Sequence, residues 1–310
     1  MPNCWVIGDA AVDLLPEGQH YIQCPGGTGA NIAVALARLG IDNYFVSKLG
    51  DDPLASSLLD TFEREKVKTE YVSRSLTCKT SLIIVSLDGD GERSFTFMVR
   101  PSADSQLASE DFPRFEEGDW VCVSAFILAR EPSRTSTLNA LNQAKAAGCV
   151  VCVDANMRAD VWDEKSSLVP KTVEALQIAD VVKVSEDEML FFTNTDTIKE
   201  GIDAIKRWPA KIKIVTRAEK GAILLTKQAE HYIDGYRATV VDTTGAGDAF
   251  FAAFISQLIG SENWSDDTLV TATKFSNACG ALVVQQKGAM SALPDSGAAQ
   301  NFILGKKDNV

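Results

Sequence analysis

Short runs rich in Val, Ile and Phe alternate with longer segments of helical periodicity along most of this chain, and that alternation limits what it can fold into. CWVIGD reads as a first strand, NIAVALARLG as a helix ending at Gly40, YFVSKLG as a strand and DPLASSLLDTFEREK as a helix. WVCVSAF, TLNALNQAKAAG and CVVCVDAN repeat strand, helix, strand. A helix over residues 168–177 then leads to DVVKVS, another leads to KIKIVTR, and two late helices follow Gly245 and Asp267. Such a series predicts an α/β fold whose mostly parallel sheet is covered on both faces. At 310 residues, with 45% hydrophobic and 23% charged, the chain has ordinary globular proportions.

One stretch breaks the series. TSLIIV and RSFTFMV flank DGDGE, which is the pattern of a β-hairpin, and the short YIQC near Gln23 could join them. Within an α/β chain such a hairpin is expected as an antiparallel flap over an edge or a mouth. A plain extension of the sheet edge is the equal alternative.

The formal net charge of -12 argues against nucleic acid and anionic membranes as partners, because both favour a basic face. It does not exclude a phosphorylated ligand, since Mg2+ can carry the neutralising charge. No apolar run reaches the length of a membrane span, and MPNCWVIGDAAVDLL lacks the basic start of a secretory signal, so a cytoplasmic location is expected. Seven cysteines, set in apolar stretches, read as buried free thiols of a reducing compartment. Cys149 and Cys152 form a C-x-x-C, but in a strand residues three apart face opposite ways, so a redox pair is not expected.

Polar residues gather where strands should end, which is where open parallel sheets hold ligands. Asp9 and Asp13 follow the first strand, and PGGTGAN precedes the first helix with Asn31 at its start. Asn156, Arg158 and Trp162 follow CVVCVDAN. Glu186, Asp187 and Glu188 follow DVVKVS, and Arg217, Lys220 and Gly221 follow KIKIVT. Each alone reads equally as a solvated loop residue. The most pointed stretch is VVDTTGAGDAFF, residues 240–251. Its small residues Gly245, Ala246 and Gly247 open a helix, so exposed amides and the helix dipole make an anion cradle there. Asp248 falls in the first turn, placed to hold a hydroxyl beside a bound phosphate. A glycine-rich helix cap is the bland alternative. There is no G-x-x-x-x-G-K-[ST], and neither TGAGDAF nor GGTGAN completes a G-x-G-x-x-G, so P-loop and dinucleotide chemistry are disfavoured.

DTTGAGDAF resembles the C-terminal signature of the ribokinase-like (PfkB) carbohydrate kinases, and PGGTGANIAVALARLG followed by KLGDDPLA resembles their N-terminal one. The likeness runs from GDAAVDL to KGAMSALP. CPGG, GERSFTF, the D-x-N-x-R-x-x-x-W of residues 154–162 and KVSEDE are most similar to members that phosphorylate fructose. The resemblance implies one three-layer ribokinase-like domain over residues 1–310, with a small β-sheet lid from about residues 11–25 and 78–101. It implies transfer of the ATP γ-phosphoryl group to a hydroxymethyl group, with D-fructose giving fructose 6-phosphate. Aminoimidazole riboside is the alternative acceptor, and a non-catalytic sugar sensor the alternative of another class.

Carried over residue by residue, Asp248 would be the catalytic base, and Gly245, Ala246 and Gly247 the anion hole. Arg158 would reach the phosphates. Asp9, Asp13, Gly26, Gly27 and Asn31 would hold the sugar, with Phe97 and Arg100 closing over it. Lys183, Glu188, Thr216, Ala218, Gly221 and Asn277 would serve the nucleotide, Glu188 also serving Mg2+ through water. Asp242 and Thr244, with backbone oxygens of Val283, Gln286 and Gly288, would bind K+ or a similar monovalent cation, and the lid could pair two copies into a homodimer. Two positions depart from the family pattern: Ser185 replaces the Asn of N-x-x-E, and Ala218 replaces the first glycine of T-x-G-x-x-G. Lying near a helix N-terminus, Asp248 is expected to be ionised and a weak base.

Overall fold

The computed structural model describes residues 2–87, 93–261 and 264–307, and the elements below are those of the described residues. Nine strands form the main sheet. They are β1 (Cys4–Ile7), β4 (Tyr44–Gly50), β5 (Lys68–Ser75), β8 (Trp120–Ser124), β9 (Val150–Asp154), β10 (Val181–Ser185), β11 (Ile212–Thr216), β12 (Ala222–Leu225) and β13 (Glu230–Ile233). Their order is β13-β12-β11-β10-β9-β8-β1-β4-β5. From β11 to β5 every pairing is parallel, and β12 and β13 add an antiparallel edge. The strand order reverses at β1, with β4 on one side and β8 on the other. That leaves a crevice beyond the carboxyl ends of β1, β8 and β9.

Two apolar layers sandwich the sheet. One face carries α1 (Thr28–Arg38), α2 (Pro53–Arg64), α7 (Ala246–Leu258) and α8 (Asp266–Val283), packed around Phe45, Phe62, Phe251 and Phe254. The other carries α3 (Ser133–Ala146), α4 (Lys165–Ile178), α5 (Glu186–Thr193) and α6 (Ile198–Ile205), around Leu128, Leu141 and Met189. The short α9 (Ala289–Ala292) and α10 (Ser296–Lys307) close the chain. Helix starts follow from capping side chains. Asp52 accepts from the Ala55 amide with Pro53 in the first turn, and Ser185 and Glu188 form a reciprocal capping box at α5.

The stretch that breaks the alternation becomes a second sheet of four strands, β3 (His20–Gly26), β2 (Ala11–Glu17), β6 (Ser81–Leu87) and β7 (Arg93–Phe97), in the order β3-β2-β6-β7. The hairpin expected from TSLIIV and RSFTFMV is present as the antiparallel pair β6 and β7; its turn DGDGE lies outside the described residues. The expected antiparallel flap needs one correction. β2 runs between β3 and β6 and pairs with β6 in parallel, because the chain reaches β6 by a long crossover through α1, β4, α2 and β5. Strands β5, β12 and β13 and helix α10 escaped the sequence reading. The first three lie at or beside sheet edges, where burial imposes a weaker apolar pattern. All seven cysteines are free thiols, with Cys149 in one core layer and Cys152 in the other, but the expectation that they are buried fails at Cys24 and Cys78, which are only half-buried because they lie on the small sheet and in a surface loop.

Candidate active site

The stretch around residues 242–248 is built as a cradle. Gly245 caps α7 at φ 82°, a left-handed conformation that favours glycine, and a Cβ there would come within 2.8 Å of the Ala289 side chain. Asp242 fastens the cradle from behind. Its Oδ1 accepts from the Thr244 amide at 3.0 Å and its Oδ2 from the Gly288 amide at 2.7 Å. The Val284 carbonyl receives the amides of both Val241 and Asp242, and the Val283 carbonyl accepts from the Gln286 amide. The residues expected around a monovalent cation are therefore brought together, Asp242 bridging the two loops that carry them.

Lys183 stands over the open side. A Cβ on Gly247 would lie 3.3 Å from its Nζ, which is held at 2.7 and 2.8 Å by the two oxygens of Asp154. These residues are register partners on β10 and β9, and both are buried. Burial works to lower the Lys183 pKa, but the carboxylates of Asp154, Glu188 and Asp248 outweigh it and hold the ammonium above its ordinary value. Asp154, the first residue of the D-x-N-x-R-x-x-x-W motif, is a site residue that the sequence reading misses. Its signal was an acid closing an otherwise apolar strand.

Asp248 lies in the first turn of α7, 8% exposed, with Oδ2 accepting from Asn31 Nδ2 at 2.8 Å. Burial pushes its carboxyl up to about 7, against the Asn31 hydrogen bond and the Lys183 charge; Asp154 and Asp9 push the same way as burial. The expectation that its place at a helix N-terminus makes Asp248 an ionised, weak base is thereby corrected. A helix N-terminus favours the anion by about 1 kcal/mol, and removal from water beside other carboxylates costs more. A base poised near neutral pH is well matched to proton transfer.

On the other side of Asp248, the carboxylate of Asp9 reaches from the end of β1 to the start of α1, where it accepts from the amides of Thr28 and Gly29, both at 3.1 Å. Gly27 adopts φ 97°, and a Cβ there would come within 2.7 Å of Ala10 Cα. A Cβ on Gly26 would sit 2.5 Å from Asp13 Oδ2, so the absent side chain makes room for that carboxylate. Asn156 donates to Thr28 Oγ1 at 2.8 Å. Arg100 lies over the Phe97 ring at 5.0 Å. Arg158 is exposed, and its charge is felt at Asp9, which puts it near this end of the crevice. Trp162 is instead a core residue beneath the Arg134 guanidinium.

A cleft of about 500 Å3 opens on the far side of the cradle, and Thr216, Ala218, Gly221, Ala246, Gly247 and Asn277 line it. The two departures from the family pattern have physical readings here. Ala218 takes φ 50°, where glycine is freer than alanine. Ser185 accepts from the Glu188 amide at 3.1 Å while Glu188 Oε2 accepts from the Ser185 amide at 2.7 Å, so the serine serves as a helix cap. The other oxygen, Glu188 Oε1, holds the Met157 amide at 2.6 Å. Glu188 thus ties α5 to the loop after β9 and stands outside the cleft lining. Among the described residues no group of three or more His, Cys, Asp or Glu side chains could hold a metal ion, and no helix is long and apolar enough to cross a membrane.

The family profile described as pfkB family carbohydrate kinase matches residues 3–296. The chain is 41% identical to a fructokinase of Vibrio alginolyticus over 98% of its own length and 99% of that protein. It is 35% identical to an aminoimidazole riboside kinase of Salmonella typhimurium, over 95% and 92% of the two chains. Among solved structures, a fructokinase of Vibrio cholerae O395 bound to fructose, ADP and calcium ion superposes with a TM-score of 0.93 at 42% identity, covering 97% of this chain and 99% of that one.

Proposed function

The chain belongs to the pfkB family of carbohydrate kinases, and on that premise we propose that it transfers the γ-phosphoryl group of ATP to the C6 hydroxyl of D-fructose. It is a phosphotransferase with an alcohol acceptor. The observation that carries the reading is the placement of Asp248 between the amide cradle, with Lys183 over it, and the crevice at the end of β1.

The roles follow from that placement. With Oδ2 held by Asn31, Asp248 presents Oδ1 to the sugar hydroxyl, orients it, and takes its proton as the oxygen–phosphorus bond forms. The amides of Gly245, Ala246 and Gly247 meet the phosphoryl oxygens, and the Lys183 ammonium offsets charge moving toward the leaving diphosphate. Asp9, Asp13, Gly26, Gly27 and Asn31 line the sugar end, with Phe97 and Arg100 over it from β7 and the turn after it. Arg158, exposed in the loop after β9, would reach the phosphates from there. Thr216, Ala218, Gly221 and Asn277 hold the nucleotide in the cleft.

Asp154, Glu188 and Asp248 around the single Lys183 make the site acidic and favourable to a cation, but among the described residues no three acids form a cage for one, and both Glu188 oxygens already accept backbone amides. Mg2+ would be held mainly by phosphates and waters, with Glu188 through water, and would supply charge neutralisation between the phosphate oxygens. A monovalent cation would sit at Asp242, Thr244 and the carbonyls of Val283, Gln286 and Gly288, and would keep the cradle amides aimed. The exposed apolar side chains Tyr21, Ile22, Phe95 and Met98 on or beside the small sheet favour a homodimer through that sheet, which sedimentation would test. ADP release measured with ATP, Mg2+ and a panel of fructose, ribose, glucose and aminoimidazole riboside tests the function. Fructose is the expected best substrate, and absence of sugar-dependent ADP release would overturn it.

A further inference from the structure

A small cavity of about 30 Å3 lies beside the sugar end of the crevice, with Phe97, Arg100, Asp104, Phe126 and Arg130 in its wall. It has room for one or two waters, or for a single hydroxymethyl group. Asp104 belongs to the 3-10 turn Ala103–Gln106, just after β7. It is 5% exposed, and its Oδ1 has no hydrogen-bond partner. Buried carboxylate oxygens are normally satisfied, so this one calls for a reason.

Ser102 and the residue's own backbone hydrogen-bond to the carboxyl, which still leaves Oδ1 unaccounted for. Arg130, whose charge acts on Asp104, is engaged elsewhere: it pairs with Asp163 at 2.9 Å and donates to the Val161 carbonyl. The turn itself is held through its backbone, the Asp104 carbonyl accepting from Ser133 Oγ at 2.7 Å. The Asp9 charge acts on both Asp104 and Asp248, so the cavity and the phosphoryl-transfer centre both lie within its reach.

We propose that Asp104 contacts the sugar, binding a hydroxyl at the end of the ketose remote from the phosphoryl acceptor, with the cavity beside it taking the hydroxymethyl group carried there. This rests on the reading of the chain as a fructose kinase and deepens it. In fructofuranose the end remote from C6 bears the anomeric hydroxyl and the C1 hydroxymethyl. Burial, with the neighbouring Asp9 charge, raises the Asp104 carboxyl to about 7, so it can donate as well as accept toward such a hydroxyl.

The test compares wild type, Asp104→Ala and Asp104→Asn in steady-state kinetics. The sugars are D-fructose, 1-deoxy-D-fructose (no C1 hydroxyl) and 2,5-anhydro-D-mannitol (no anomeric hydroxyl). Asp104→Ala is expected to raise KM for fructose roughly ten- to hundredfold, with KM for ATP unchanged. The penalty should vanish with whichever analogue lacks the contacted hydroxyl. Asp104→Asn, which keeps a donor and an acceptor, should retain most of the affinity. An unchanged KM for fructose, or an equal penalty on all three sugars, would overturn the assignment. Failure of the wild type to phosphorylate fructose, with turnover of aminoimidazole riboside, would instead bring down the parent reading and this assignment with it.

Discussion

Asn31 and Asp248, 217 positions apart, meet through a single buried hydrogen bond of 2.8 Å from the amide Nδ2 to the carboxylate Oδ2. One comes from the first helix and the other from the seventh, and the bond joins the two glycine-rich segments that frame the site. It also partly offsets the burial that raises the Asp248 carboxyl to about 7.

Asp248→Asn keeps the shape of the side chain and removes its basicity. The kcat should fall at least ~10²-fold while KM for ATP changes little. Near-normal turnover by the purified variant would remove Asp248 from the base role.

The pH profile carries the sign of that assignment. Transfer needs the ionised carboxylate, so kcat/KM for the sugar should rise about tenfold per pH unit on the acid side and level off above about 7. Asn31 stabilises the ionised form, so Asn31→Ala should move the acid limb to higher pH. A wild-type profile flat down to pH 5.5 would contradict both statements.

Stability should run the opposite way with pH. Burial raises Asp104 and Asp248 from the ordinary 3.8 to about 7, so the folded protein keeps protons that the unfolded chain has already lost. This contribution is complete below about pH 4 and is lost as pH rises through about 7. Asp248→Asn should therefore stabilise the ligand-free protein at pH 8, by on the order of 1 kcal/mol or more, and make little difference at pH 4. Urea denaturation at the two pH values reads this directly; no pH dependence of the difference would show that Asp248 stays ionised in the fold.

Lys183→Met should be costly, because it leaves the Asp154 carboxylate buried without its counter-charge. Removing one partner of a buried pair costs about 3–5 kcal/mol. Combining it with Asp154→Asn should recover part of that loss, and a double variant as unstable as the sum of the singles would mean the pair is uncoupled.

Initial rates at fixed Mg2+ and ionic strength should be higher in K+ than in Na+ or tetramethylammonium. Misaligning one cradle amide costs about 3 kcal/mol, or roughly a hundredfold in rate. Asp242→Ala should abolish the K+ effect. Equal rates in all three salts would rule out functional dependence on a cation there.

Residues near one another in the chain reveal their job through local pattern. The alternation of strand and helix, the glycines of 245–247 before an apolar helix, and the two signatures that betray the family could all be read that way, because each expresses a period or a backbone requirement confined to a few residues. The capping box at Ser185 and Glu188 was likewise written in four consecutive positions, although its serine first read as a departure from the family motif.

What only the tertiary structure decided depends on groups brought from distant segments into a medium with little water. The protonation of Asp248 could not be read from its place in a helix turn, because burial and the charges of Asp9, Asp154 and Lys183 come from three other segments of the main sheet and its loops. The parallel pairing of β2 with β6 arises from a crossover of more than sixty residues, roughly counted, that no local pattern records. Asp104 was silent in the sequence for the same reason: an acid in a loop is ordinary until packing takes it out of water and leaves one of its oxygens without a partner. Local backbone preference and apolar periodicity are properties of the chain itself. Desolvation and charge coupling are properties of the assembled fold.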